Sequence, residues 1–578
     1  MNFFKKILMI AAFAPLAASA QKKEDLKPNW FNLDLQKDGV FGISTERAYE
    51  LVKGKKAVPV TVAVLDGGVD EEHEDLKTVM WKNQREIAGN NIDDDKNGYV
   101  DDVYGWNFLG SAKGSVRFDN LEIVRLIRIY QDKYASVLNS TPLSTAERRE
   151  FSLYKKLVTE HQSKLQNARF GYENYSILKK NLDSIERRIG KEKLSLNDLD
   201  KYRAKNDIES KVIKVVRSEL KKNPDYSEFT KELNETLEYY HNQLNYHLNL
   251  EFDPRDSIGD NYADVNERIY GNSDVTGPDA DHGTHVAGII AADRTNKLGI
   301  NGVADQARIM SVRVVPDGDE RDKDVANAIR YAVDNGAKVI NMSFGKSYSW
   351  NKATVDSAVA YAARKDVLLV HAAGNDSKNT DYENNFPNRI YGDTTNANYW
   401  NLSNRIEVEQ ALQTRPMPGV MGGIGRPNVP TGPRVDSAKF SRPQAPNWLE
   451  VGASSWKDDE TLVANFSNFG KRTVDVFAPG VRINSTMPGS KYEEQQGTSM
   501  AAPVVSGLAA LIRSYYPSLS AVQVKDIIMR SVAKVDQKVK IAERGESKKV
   551  NLSDISISGG VVNAYNALKL AEEVSKGK

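Results

Sequence analysis

Short, nearly continuous apolar runs recur in two separate parts of this chain, from about residue 45 to 108 and from about 257 to 535. They alternate with amphipathic segments and Gly-rich turns. Apolar runs of this length are typical of parallel strands that helices cover on both faces, because neither face of such a strand meets water. The pattern therefore predicts an α/β fold with a doubly wound, mostly parallel sheet. The clearest predicted strands span residues 61–65, 307–315, 338–342 and 367–370.

A different pattern fills the region between these parts, where residues 120–250 are rich in Lys, Glu, Leu and Tyr and contain few Gly or Pro. Its apolar residues repeat at steps of three and four, the period of one helix face. Short breaks such as Asn223-Pro224 favour antiparallel neighbours, so the pattern predicts an inserted all-α helical bundle. Ser144 and Glu147 predict the capping box at the start of one helix. Four sets of positions carry the period: Ile123, Ile127, Tyr130, Tyr134 and Val137; Tyr175, Leu178, Leu182, Ile185 and Ile189; Ile208, Val212, Val215 and Leu220; and Phe229, Leu233, Leu237, Tyr240 and Leu244.

The N-terminus carries an export pattern, in which Lys5 and Lys6 precede an apolar run over residues 7–14 and the triplet Ala18-Ser19-Ala20. This pattern is typical of a secretory signal peptide with a small-residue cleavage site, and it predicts a periplasmic or extracellular protein. The run is too short to span a bilayer, which needs about 20 apolar residues. No later stretch qualifies, so we expect no membrane span.

Composition excludes one further class of protein and limits how the fold is stabilised. The 578 residues include 79 basic and 78 acidic side chains, which is not the positive excess expected of a nucleic-acid-binding protein. The sequence contains no cysteine. Disulfide bonds therefore do not stabilise the chain, and a large core or a bound metal must do so.

These patterns divide the chain into consecutive regions. Residues 376–444 are rich in Asn, Pro and Gly without any period, which is typical of a long loop inserted into the second apolar part. The predicted regions are a signal peptide (1–20), an N-terminal extension (21–56), the first part of the α/β domain (57–110), the helical insert (111–256), the second part of the α/β domain (257–535) and a C-terminal extension of that domain (536–578).

Three separated motifs supply the residue types of an acyl-transfer site. Asp66 ends an apolar strand, His282 lies in Asp-His-Gly-Thr-His-Val-Ala-Gly, and Ser499 lies in Gly-Thr-Ser-Met-Ala-Ala-Pro where a turn meets a helix. A serine hydroxyl is a poor nucleophile at neutral pH, so it needs a neighbouring base, and that base needs an orienting carboxylate. Each residue alone is more simply a cap or a turn former. The three together, in this order, favour nucleophilic catalysis.

With these motifs the chain resembles the subtilisin-type serine proteases, the subtilase family, over roughly residues 57–108, 257–388 and 445–535. The resemblance implies that Ser499 attacks the scissile carbonyl, His282 takes and returns the proton, and Asp66 holds the imidazole. Asn375, in Ala-Ala-Gly-Asn, matches the residue that donates to the oxyanion. Ser343, Phe344 and Gly345 match the strand that pairs with extended substrate. The implied protein is an exported serine endopeptidase that acts on protein or peptide substrates through an acyl-enzyme intermediate.

An acidic segment suggests bound calcium. Asp93, Asp95, Asn97 and Asp102 place oxygen ligands at short intervals around Gly98, as in the first half of a Ca²⁺ loop. A solvated acidic turn is the alternative. A second, weaker site is implied by the resemblance alone, at Asp75 and Asn296, where relatives often bind structural calcium. The chemistry itself requires no metal, so calcium is expected to be structural.

Several alternatives remain open at this stage. A different class of protein would be a non-catalytic binding or assembly protein on a subtilase scaffold, or a narrowly specific processing protease, that uses the helical insert as a partner-binding surface. The insert is more simply a folded structural element with a solvated charged surface. We expect His285 to be structural and His371 to be a packed core residue.

Overall fold

The computed structural model describes residues 26–392, 437–543 and 545–577. The predicted signal peptide therefore lies outside the described residues, as does most of the predicted loop at 376–444. The chain divides into two compact units. In the described part, one unit comprises Ile123–Ala135 and Tyr154–Phe252, within the predicted helical insert, and the other comprises the remaining residues.

The larger unit is built on a mostly parallel sheet, which confirms the predicted α/β fold. The strands are β1 Val60–Asp66, β2 Gly105–Asn107, β3 Gly110–Ser111, β4 Gly114–Ser115, β5 Ala307–Arg313, β6 Val339–Met342, β7 Leu368–Ala372, β8 Trp448–Ser454, β9 Val476–Pro479, β10 Ile483–Met487, β11 Lys491–Gln495, β12 Ala533–Lys534, β13 Val539–Glu543, β14 Glu546–Val550 and β15 Gly560–Val561. In the described residues the main sheet has nine strands in the order β12-β15-β9-β8-β7-β6-β1-β5-β2, and only the pair of β12 and β15 is antiparallel.

Helices connect and cover these strands. The α-helices are α1 Leu35–Asp38, α2 Thr45–Val52, α3 Glu122–Tyr134, α4 Thr145–Ile189, α5 Leu196–Lys201, α6 Asp207–Lys222, α7 Tyr226–Asn242, α8 Asp281–Ala291, α9 Asp322–Asp334, α10 Lys352–Arg364, α11 Ser437–Phe440, α12 Thr498–Tyr515, α13 Ala521–Arg530 and α14 Ala564–Ser575. Short 3₁₀ turns lie at Trp30–Asn32, Arg255–Ser257 and Leu552–Asp554, and a π-helical turn lies at Gln243–His247.

The centre of the sheet holds the residues that the apolar runs predicted. β1 lies between β5 and β6, with Leu65 opposite both Val312 and Met342. Its side chains are buried on both faces, as expected of a covered parallel strand. α12 is apolar almost all round and nearly every residue in it is buried, which is how a helix at the centre of a large domain is patterned.

The helical unit has its own apolar core, and one predicted helix face is wrong. α4 and α7 bury the predicted positions, and the Ser144 to Glu147 capping box opens α4. In α6, Ile208 is 43% exposed, whereas Val216 is fully buried. The buried apolar residues of α6 are Val212, Ile213, Val216 and Leu220, so its buried face includes Ile213 and Val216 in place of the predicted Ile208 and Val215. None of the described helices is both long enough and apolar enough to cross a membrane.

Candidate active site

The carboxyl edge of the central sheet brings Asp66 and His282 together. Asp66 is the last residue of β1 and is 2% exposed, and His282 is the second residue of α8. The Asp66 Oδ1 atom lies 2.8 Å from His282 Nδ1 and accepts the Gly67 N–H at 2.8 Å. Close packing of the two elements requires Gly283, because a Cβ atom there would lie 2.1 Å from the Gly68 carbonyl oxygen. The backbone therefore sets the distance of the pair.

Asp66 shifts the protonation equilibrium of the imidazole. Partial desolvation opposes the charged form, but the charge and the hydrogen bond of the Asp66 carboxylate stabilise the imidazolium more, so the pKa of His282 is raised. The hydrogen bond at Nδ1 leaves Nε2 as the atom available to accept a proton. The His282 side chain stays 41% exposed, which leaves this face accessible to a substrate.

Ser499 lies at the start of α12, and its hydroxyl is bonded to a main-chain carbonyl. Its hydroxyl donates a hydrogen bond to the Ser343 carbonyl at 2.9 Å. In the part of the chain that the structure describes, no hydrogen bond joins Ser499 to His282. Such loose catalytic contacts are common in proteins without substrate, where the geometry tightens on binding.

A proline inside α12 determines what holds the Ser499 backbone. Pro503 has no N–H and so cannot bond the carbonyl of Ser499, four residues earlier. The Ser343 hydroxyl donates to that carbonyl instead, at 2.8 Å. Asn341 Nδ2 donates to the Ser343 hydroxyl at 2.9 Å, and the Ser506 hydroxyl donates to Asn341 Oδ1 at 2.8 Å. This chain of hydrogen bonds ties α12 to β6.

Asn375 follows β7, and α12 orients its side chain. Its Oδ1 atom accepts the Thr498 N–H at 2.8 Å and the Thr498 hydroxyl at 2.9 Å. The turn requires Gly374, whose φ is +102°. The Asn375 Nδ2 atom and the Ser499 N–H both lie beside Gly497, 3.3 and 3.5 Å from the position that a Cβ atom would take there. Two hydrogen-bond donors therefore lie beside Gly497, two residues before Ser499.

Ser343, Phe344 and Gly345 continue from β6 past the nucleophile. The main-chain N–H and C=O groups of Phe344 and Gly345 have no hydrogen-bond partner among the described residues. An extended peptide satisfies such groups when it adds to a sheet edge. Phe344 itself is 9% exposed, so the segment offers its main chain rather than an apolar surface.

Two further histidines near the site are structural in this geometry. His285 is buried, and its Nε2 atom lies 3.0 Å from the Ile483 carbonyl oxygen and 3.1 Å from that of Glu493. Burial lowers its pKa to about 4. His371 is buried within β7 and its Nδ1 atom lies 3.1 Å from the Glu450 carboxylate. Neither ring contacts the Ser499 hydroxyl.

The acidic loop brings together two of its four predicted ligands. Glu86, Asp93 and Asp95 each place a carboxylate oxygen within 4.8 Å of the others. Asp93 also accepts main-chain N–H groups from Asn97 at 3.0 Å and Gly98 at 2.8 Å, which folds the loop around its carboxylate. The structure therefore adds Glu86 to this neighbourhood, a residue seven positions before Asp93 and outside any spacing that marks a calcium loop.

Asp102 and Asn97 make further hydrogen bonds beside this group of carboxylates. Asp102 is buried and accepts hydrogen bonds from Asn83 at 2.8 Å, Asn97 at 3.1 Å and Tyr331 at 2.6 Å. Burial outweighs these bonds and raises its pKa to about 6. The Asn97 Oδ1 atom accepts the Tyr99 N–H at 2.7 Å, so this oxygen is used within the loop.

The weaker predicted metal pair does come together. Asn296 Nδ2 donates to Asp75 Oδ1 at 2.7 Å, and the Ile300 N–H donates to Asp75 Oδ2 at 3.2 Å. Burial raises the pKa of Asp75 despite these bonds. The two residues are therefore close in space, and both oxygens of Asp75 accept hydrogen bonds.

Sequence reasoning missed the residues that hold the reactive groups. Thr498, Asn341 and Ser506 orient Asn375 and the Ser499 backbone, but each is a common residue type whose role depends on partners far along the chain. Thr498 alone had a local signal, because it is adjacent to the nucleophile.

Comparisons with known proteins agree with this arrangement. A sequence model described as the Subtilase family matches residues 59–550. A Thermophilic serine proteinase of Bacillus sp. (strain AK1) is 36% identical over 234 residues, 40% of this chain and 42% of that protein. Thermitase of Thermoactinomyces vulgaris is 30% identical over 319 residues, 54% of this chain and 85% of that protein, and Subtilisin Savinase of Lederbergia lenta is 32% identical over 246 residues, 42% and 67%.

The chain spans less than half the length of the Bacillus proteinase. The family match, in contrast, covers most of this chain and includes every segment that forms the sheet edge described above. This protein therefore belongs to the subtilase family.

Proposed function

We propose that this protein is an exported serine endopeptidase that hydrolyses peptide bonds through an acyl-enzyme intermediate. The observation that carries the proposal is the 2.8 Å contact of Asp66 with His282, at the sheet edge where Ser499 opens a helix and Asn375 supplies a donor. The N-terminal sequence pattern supports export, and the serine proteinases among the relatives support the reaction class.

The geometry suggests the order of steps. The Ser499 hydroxyl leaves the Ser343 carbonyl, gives its proton to His282 Nε2 and attacks the substrate carbonyl carbon. The negative charge that develops on the carbonyl oxygen is stabilised by Asn375 Nδ2 and the Ser499 N–H. Protonated His282 then donates its proton to the leaving amine, and water repeats the sequence to release the acid. Asp66 stays ionised and orients the imidazole.

Extended peptides are the substrates that the site favours. An incoming strand can pair with the main chain of Phe344 and Gly345, whose N–H and C=O groups have no partner among the described residues. The test is hydrolysis of casein or of a peptide amide, blocked by a fluorophosphonate. Mass spectrometry should locate the phosphonyl adduct on Ser499. An adduct elsewhere, or hydrolysis that a saturating fluorophosphonate does not block, would contradict the proposal.

Replacing Asn375 by alanine is expected to lower kcat by about 10²–10³ with little change in KM, because this donor strengthens only as the oxyanion forms. Steady-state kinetics on a peptide amide measure both constants. Asn379, four residues later, is the matched control. Its side chain accepts the Asp381 N–H at 3.0 Å and does not face Ser499, so Asn379→Ala should keep kcat within about twofold. A rise in KM alone for Asn375→Ala would count against the oxyanion role.

We also propose a structural calcium ion at the acidic loop, held by Glu86, Asp93 and Asp95. Three carboxylates, each with an oxygen within 4.8 Å of the others, concentrate negative charge here, and oxygen ligands of this kind suit Ca²⁺. Arg85 Nη2 lies 3.1 Å from Asp95 Oδ2 at the side of the group. The site lies away from the nucleophile and takes no part in the chemistry. When bound, the ion would neutralise this charge and fix the loop.

Calcium is expected to raise the melting temperature. A ligand that binds only the folded state stabilises it by about 2.7 kcal/mol at a free concentration 100 times its Kd. Differential scanning calorimetry with calcium or with a chelator measures the shift. Asp93→Asn should remove most of the shift, whereas Asp256→Asn, at an exposed carboxylate outside the acidic loop, should leave it intact. A melting temperature of metal-free protein that calcium does not change would refute this site.

A further inference from the structure

A buried lysine lies immediately after Ser343, Phe344 and Gly345, the proposed peptide-binding segment. Lys346 follows Gly345, and its side chain is 1% exposed. Its ammonium group lies 3.0 Å from a Glu122 carboxylate oxygen and 2.9 Å from Asp322, and it donates to the Glu320 carbonyl at 2.7 Å. An ammonium ion this deeply buried is retained only where such partners compensate its lost hydration.

The partners are themselves fixed by other contacts. Asp322 is the first residue of α9, and its second oxygen accepts the Ser349 hydroxyl at 2.8 Å and the Asn351 N–H at 2.6 Å. Glu122 is the first residue of α3, and its N–H donates to Asp319 at 2.7 Å. The Lys346 ammonium therefore joins three segments that are distant in sequence.

The peptide-binding segment is held at both of its ends. At one end the Ser343 hydroxyl donates to the Ser499 carbonyl at 2.8 Å. At the other end the main chain of Lys346 exchanges two hydrogen bonds of 2.9 Å with Phe386. Only Phe344 and Gly345, between these ends, keep main-chain groups without a partner among the described residues. Because Ser343 and Lys346 are both fixed, they determine the orientation of the main-chain groups of Phe344 and Gly345 between them.

We propose that Lys346 is a positioning residue for peptide binding, which holds Phe344 and Gly345 extended by anchoring the end of their segment to Glu122 and Asp322. This inference rests on the proposed function, because it assigns Phe344 and Gly345 to the substrate. Lys346 contacts neither the nucleophile nor its base. Its loss should weaken the binding of an extended chain and leave the reaction at Ser499 unchanged.

Two covalent probes separate these effects. A small alkyl fluorophosphonate needs only Ser499, its base and the oxyanion donors. A tetrapeptidyl diphenyl phosphonate reacts with the same hydroxyl but must also pair with the segment that precedes Lys346. Four such peptides, with Ala, Phe, Lys or Glu next to phosphorus, are compared first, and the one that labels the wild type fastest is used. The measured quantity is the ratio of the two second-order labelling rates.

Lys346→Met should slow the peptidyl probe at least tenfold relative to the small probe, and Glu122→Gln should change the ratio about threefold in the same direction. Lys352→Met is the matched control, because Lys352 is also a buried lysine, 7% exposed, paired with Asp356 in α10. It should leave the ratio unchanged. If Lys346→Met does not give folded protein, the ratio in Glu122→Gln decides the question.

Equal slowing of both probes, or an unchanged ratio in the folded variants, would overturn the positioning role. A wild-type protein that the small probe does not label at Ser499 would refute the proposed function itself. The two failures therefore give different results.

Discussion

Replacing Ser499 by alanine is expected to lower peptide hydrolysis by about 10⁴-fold or more and to abolish fluorophosphonate labelling. The Ser499 hydroxyl is the group that we propose forms the acyl-enzyme, and without it the oxyanion donors can only polarise a bound carbonyl. Initial rates with a peptide amide and gel-based labelling measure the two losses.

The control for this variant is another serine of the same unit. Ser553 is exposed in the 3₁₀ turn at Leu552–Asp554, remote in sequence from every catalytic segment. Ser553→Ala should keep full activity and labelling. Both proteins should melt at the wild-type temperature, because the Ser499 hydroxyl makes a single hydrogen bond. Labelling that persists in folded Ser499→Ala would place the nucleophile elsewhere.

Replacing Asp66 by asparagine is expected to lower kcat by about 10⁴-fold and to move the acid limb of the pH profile to lower pH. His282 acts as a base only when neutral, so activity falls as the pH drops through its pKa. The carboxylate raises that pKa by its charge and its hydrogen bond. Without it the pKa falls, and the residual activity should persist to lower pH than in the wild type. Profiles of kcat/KM against pH report this pKa in the free enzyme.

Asp281 provides the comparison for this second prediction. It is an exposed carboxylate directly before His282, without a hydrogen bond to the imidazole in the described residues. Asp281→Asn should keep kcat within about threefold. An acid limb at the same pH in Asp66→Asn as in the wild type would show that Asp66 does not control the base.

The sequence was sufficient to predict the sheet and to select the candidate site residues, for identifiable reasons. Continuous apolar runs predicted the central strands, because a strand covered on both faces leaves a local pattern. Asp66, His282 and Ser499 were found because each lies in a run of residues that is unusual in itself. The pairing of β1 with β5 and β6 joins residues more than 200 positions apart, and no local pattern predicts it.

Other parts of the site had no local signal. Glu86 lies outside the spacing of the acidic loop. Nothing in the residues around Lys346 distinguishes it from an exposed lysine, although its side chain is buried. Asp102 was predicted as a metal ligand from its spacing, but Tyr331 from a distant helix accounts for its carboxylate. In α6 the helical period was correct, but the choice of face depended on packing against α4 and α7.

Pro503 divides α12 into a first turn that carries Ser499 and a longer part that packs in the core. Most of α12 is held by its own backbone and by apolar packing within the core. The Ser499 carbonyl has no partner within the helix and accepts a hydrogen bond from Ser343, the residue directly after β6. Ser499 and the proposed peptide-binding residues Phe344 and Gly345 are thus both positioned by β6 of the central sheet. The later turns of α12 are joined to the same strand through the Ser506 hydroxyl and Asn341, so both parts of the helix are held to β6.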